Sequence, residues 1–81
     1  MIRLEDAKKL IPGQILFCVK FKNPTGRPIP CVVNEEVKIW KKDPSKLKIP
    51  IRRGPRDFVC FTENDLPLLF LTEAEAMARG Q

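Results

Sequence analysis

The chain has 81 residues and a net charge of +5, with 43% hydrophobic and 31% charged residues. That size and composition allow one domain with one small core and exclude a disordered or multidomain chain. No apolar run approaches the roughly 20 residues of a bilayer-spanning helix, and Arg3, Glu5 and Asp6 follow Met1 without an apolar stretch. The expectation is a soluble, cytoplasmic, single domain over 1–81, with no membrane partner.

In chain order, Leu4, Ala7 and Leu10 have helical spacing, with acids first (Glu5, Asp6) and bases last (Lys8, Lys9), which suits the helix dipole. Pro12-Gly13 stops that helix. Ile15 to Lys22 alternates as a strand, with Ile15, Phe17, Val19 and Phe21 assigned to the buried face and the even positions progressively wet. Asn23-Pro24-Thr25-Gly26 is a turn, and Ile29 to Val33 a strand whose Pro28 and Pro30 point to an edge or a strand start.

After Asn34-Glu35-Glu36, Val37 and Ile39 alternate with Lys38 and Trp40. A turn at Lys41 to Ser45 leads into a strand with Leu47, Ile49 and Ile51 on one face and Lys48 and Arg52 on the other. A reversal at Arg53 to Asp57 precedes Phe58 to Thr62, read as a short, largely buried strand. Thr62 caps a helical turn over Glu63 to Pro67, and Leu68 to Leu71 is a closing strand covered on both faces. Thr72-Glu73-Ala74-Glu75 has capping-box spacing for a terminal helix that Gly80 ends. Short strands without crossover helices predict a mainly β fold: a small five-stranded antiparallel SH3-like barrel with short helices at both ends.

The charge is uneven. Between Lys38 and Arg56 stand eight cations against the single acid Asp43, a balance of +7; the remaining seven cations and nine acids give −2. A basic patch on a mildly acidic body is the electrostatic footprint of anion or nucleic-acid binding.

Catalytic equipment is missing. The chain has no histidine, its adjacent carboxylate pairs diverge, and its four glycines are isolated. Cys18, Cys31 and Cys60 lie in apolar strand-like runs, where each reads as a small buried hydrophobe. The expectation is a non-enzyme without cofactor or metal.

Val37-Lys38-Ile39-Trp40-Lys41-Lys42-Asp43-Pro44, Ile49-Pro50-Ile51-Arg52-Arg53-Gly54 and Phe61-Thr62-Glu63-Asn64-Asp65-Leu66 resemble segments of short SH3-like barrel proteins encoded by bacteriophages and prophages. The similar part spans Leu10 to Glu73 and departs at Asn34-Glu35-Glu36, where an Asn-Gly hairpin turn would stand. The resemblance implies a fold and a phage or prophage origin, hence a bacterial host cell, but no activity.

The candidate binding residues are Lys38, Trp40, Lys42, Lys46, Lys48, Arg52, Arg53 and Arg56. An indole flanked by cations suits single-stranded nucleic acid, through base stacking and phosphate contacts. The same surface equally suits an acidic protein, as a host-protein inhibitor or virion assembly component, and the apolar run Leu66 to Leu71 is a second contact for such a partner. Lysines on an outer face also serve solubility alone, with Trp40 covering the barrel's end. Oligomeric state stays open.

Overall fold

Alternating apolar and polar residues build most of this molecule, and the few places where alternation breaks decide which side chains reach the surface. The computed structural model describes residues 2–22 and 24–79, Arg79 by its backbone. Asn23 and Gly80, assigned above to a turn and a helix end, lie outside the described residues.

The elements run α1 (Leu4–Ala7), β1 (Ile15–Lys22), β2 (Pro28–Val33), β3 (Lys38–Ile39), β4 (Leu47–Gly54), β5 (Asp57–Thr62), a 3-10 helix (Glu63–Leu68), β6 (Leu69–Phe70) and α2 (Glu73–Arg79). All six strands form one antiparallel sheet in the order β3-β4-β2-β1-β6, with β5 also paired to β4. β4 is its spine. β5 follows one edge of β4 from Lys48 to Gly54, while β3 (at Leu47 and Lys48) and β2 (at Ile51 and Arg52) share the other.

The sheet has six strands rather than five, and it is not closed. The chain leaves β5 at Thr62 into the 3-10 helix, and β6 then pairs β1, so among the described residues no ladder joins β5 to another strand than β4. Thr62 caps that 3-10 helix: its hydroxyl accepts from the Asn64 amide at 3.3 Å, and its own amide donates to Asp65 at 2.9 Å. Thr72 caps α2, accepting from the Glu75 amide at 3.2 Å while its hydroxyl donates to the Glu75 carboxylate at 3.1 Å.

The inner face carries Leu16, Cys18, Cys31, Val33, Leu47, Ile49, Ile51 and Phe61, closed over by Leu10 beside α1, Leu66 of the 3-10 helix and Leu69. The parity assigned to β1 is reversed at its start: Leu16 and Cys18 are fully buried and Ile15 is 47% exposed. From Phe17↔Pro30 to Lys22↔Pro28, β1 advances five residues and β2 two, so β1 carries three residues outside the regular ladder. Such an irregularity switches the face that later residues present. Phe21 therefore comes inside, its ring 5.7 Å from that of Phe61.

Three other expectations are corrected. β2 is an interior strand rather than an edge, although Pro28 does stand at its start; Pro30 is tolerated because β4 pairs only the far end of β2, at Val32 and Val33. β5 buries Phe61 but turns Phe58 and Cys60 outward, so one of the three cysteines is exposed. Ile39, expected inside, is 43% exposed, because β3 is two residues long and, among the described residues, nothing pairs its far edge.

In the run Leu66 to Leu71, Leu66, Leu69 and Phe70 are buried, but the strand is only Leu69–Phe70. Leu71, expected to be covered, is 47% exposed because the chain leaves the sheet there toward α2. Leu69 joins the main core, whereas Phe70 is buried outside it, together with Ala76 of α2. α2 packs on β1, β2 and β6, so it shields the far face of the sheet at that end only.

Candidate nucleic-acid interface

The uncovered outer face of β4 and its neighbours holds the main concentration of exposed cations. In β4 the outward residues are Lys48, Pro50 and Arg52, between buried Leu47, Ile49 and Ile51. Their cross-strand partners in β5 are Thr62, Cys60 and Phe58. On the other edge Lys38 stands opposite Lys48, and Val32 opposite Arg52.

Trp40 follows β3 by one residue and is 52% exposed. Its amide donates to the Lys46 carbonyl at 3.2 Å, which continues the β3–β4 ladder and sets Lys46 beside it. The intervening loop is held by Asp43. Its carboxylate accepts from the amide and hydroxyl of Ser45, and its carbonyl accepts from the Lys46 amide at 2.9 Å. Those bonds from Ser45 keep the Asp43 carboxyl below its ordinary pKa. The only acid of the basic segment is thus occupied within its own turn.

Lys48 Nζ lies 5.8 Å from the centre of the Trp40 ring, within cation–π range. Lys38, Ile39, Trp40 and Lys48 line a shallow groove of about 220 Å³. Two more open grooves continue along the same strand. One of about 220 Å³ includes Pro50, Phe58 and Cys60, and one of about 390 Å³ includes Val32, Arg52 and Pro55.

Of the eight residues singled out from sequence, Lys38, Trp40, Lys46, Lys48 and Arg52 come together along this face. Lys42 is exposed in the β3–β4 loop, and Arg56 at the two-residue β4–β5 turn. Arg53 is set apart. β4 advances from Arg52 to Gly54 while β5 advances only from Phe58 to Asp57, so Arg53 is an extra residue in the ladder. A bulge re-aims its side chain: the Arg53 guanidinium lies 4.2 Å from the Phe21 ring centre and donates to Asp57 at 2.9 Å.

Phe58, 60% exposed and opposite Arg52, is the outward residue that sequence reasoning missed. The signal was present in β5 itself, where Val59 and Phe61 share the parity of the buried face and Phe58 and Cys60 the other.

Burial pushes the Cys31 thiol up to about 11 and raises that of Cys18, so neither is an activated nucleophile. Among the described residues, no three metal-ligating side chains gather, and no helix is long and apolar enough to cross a membrane. No family model, curated protein or solved structure matches the chain.

Proposed function

We propose that this protein is a non-catalytic binding module whose outer β4 face holds nucleic acid. One observation carries the reading. Lys38 and Lys48 are directly opposed across the β3–β4 ladder, and among the described residues neither pairs with a carboxylate. Like charges in direct register destabilise a sheet, and a polyanion bound between them removes that repulsion. Trp40 beside them supplies a surface on which a base stacks.

An SH3-like assignment accords with the short antiparallel strands and the 3-10 helix leading into the last of them. A phage or prophage origin rests on the sequence resemblance, with a bacterial cytoplasm as the place of action. Labelled single- and double-stranded oligonucleotides, titrated at about 50 and about 200 mM salt, test the function. Binding should be measurable at the lower salt and weaken steeply at the higher; no binding at low salt rejects it.

A second reading has its own observation. Among the described residues one edge of β3 is unpaired, with Ile39 and Trp40 exposed beside it, and an extended peptide from an acidic protein can add a strand there. A partner retained from nuclease-treated bacterial lysate, and lost on Ile39→Pro, favours this alternative.

A further inference from the structure

The register of β4 with its neighbours places two exposed aromatic rings at opposite ends of one basic track. Trp40 stands beside Lys46 at the start of β4, and Phe58 stands opposite Arg52, six residues further along that strand. Between them the outward positions are Lys48, its opposing Lys38 and Thr62, Pro50 and Cys60, with no acid among them. We infer that the ligand is a single strand laid along β4, with one base stacked on Trp40 and another on Phe58.

The inference rests on the nucleic-acid reading above and narrows it. Six residues of strand cover roughly 20 Å, a length that a stacked single strand fills with about six nucleotides at 3.4 Å each. A stretched strand fills it with fewer. Lys48 and Arg52 point from the same side of β4, roughly 13 Å apart, and meet phosphates about four nucleotides apart in a stacked strand, while Pro50 keeps the middle of the track apolar. A duplex fits poorly, because its base faces are hidden from both rings and this face offers no protruding helix or ribbon to enter a groove.

Cys60 reports directly on occupancy. It lies outward at mid-track opposite Pro50, whereas Cys18 and Cys31 are buried. A strand bridging the two rings must cover it.

The test uses the full chain with labelled oligothymidylates of about two to about ten nucleotides, and a duplex of equal length, at about 50 mM salt. Affinity should climb to about six nucleotides and then level off, with the duplex weaker. Phe58→Ala and Trp40→Ala should each weaken the longer oligomers by on the order of 5- to 150-fold. The affinity of a two-nucleotide probe should fall with only one of them. Phe58→Leu keeps an apolar side chain without a ring and should lose the same affinity, which separates stacking from folding. The oligomer should also slow alkylation of Cys60.

Oligomer binding that ignores Phe58, leaves Cys60 reactive or prefers the duplex overturns the two-ring track and leaves the broader reading intact. Failure of every oligomer to bind removes both.

Discussion

Arg52 and Arg53 are adjacent in sequence and face opposite sides of the sheet. Arg52 stands opposite Phe58 on the exposed face, while Arg53 lies over the Phe21 ring and is paired with Asp57. Their substitutions should therefore separate. Arg52→Ala should weaken oligonucleotide binding and reduce its salt dependence while leaving the melting temperature within about 2 °C. Arg53→Ala should lower stability by roughly 1–2 kcal/mol, since it loses a cation–π contact and a partly exposed ion pair together. Thermal unfolding and salt-dependent titration of both variants check the contrast.

Lys48→Glu should move binding and stability in opposite directions. It turns the repulsive pair with Lys38 into an attractive one and should add about 0.2–1 kcal/mol to folding. The same change places a negative charge on the track and should abolish polyanion binding. A stability loss instead would show that the Lys48–Trp40 contact outweighs the repulsion.

Trp40 is the single tryptophan, half exposed outside the core cluster. Its emission should be that of a solvated indole and should quench on oligonucleotide addition. Trp40→Ala should cost no more than about 1 kcal/mol of stability, because the deleted ring is not a core element.

The buried thiol of Cys31 links stability to alkaline pH. Its ordinary pKa of 9.0 applies once the chain is unfolded, and burial raises it to about 11 in the fold. Between those values the folded state keeps a proton that the unfolded state releases, so this contribution is complete below pH 9 and declines as pH rises toward 11. Cys18, raised by the same cause, adds in the same direction. The loss should be on the order of 2 kcal/mol, read from denaturant unfolding at pH 8 to 10.5, and Cys18→Ala/Cys31→Ala should flatten the profile.

The cap of the 3-10 helix is reciprocal, so its two members should not act independently. Thr62→Ala should cost about 1 kcal/mol. Asp65 accepts from the Thr62 amide and also pairs with Lys20 at 3.8 Å, so Asp65→Ala should cost at least as much. The double variant should fall short of the sum, because either change already breaks the box.

Much of this arrangement could be read from local chemistry. Pro12-Gly13, the Thr62 cap, the Thr72 box and the reversal before Asp57 are short-range devices, and each stands where its residues put it. The outward parity of Lys48 and Arg52 follows from Leu47, Ile49 and Ile51 alternating against them. What could not be read depends on partners distant in sequence. The register that sets Leu16 opposite buried Cys31 decides that Leu16, rather than Ile15, goes inside, and the irregular pairing beyond Phe17 then brings Phe21 in. The extra residue before Gly54 sends Arg53 to Phe21, a ring 32 residues earlier in the chain. Whether the sheet closes is decided by which strand Leu69–Phe70 joins, and two residues carry no pattern that announces it.

Because α2 packs on β1, β2 and β6 while Ala76, its buried residue, stands outside the main core cluster, its attachment is energetically separable from the rest. Its amides should exchange with solvent by brief detachment of that one segment, orders of magnitude faster than those of β4, which are released only when the whole molecule opens. The molecule thus has a loose end and a tight middle, and the tight middle is the strand beneath the proposed track.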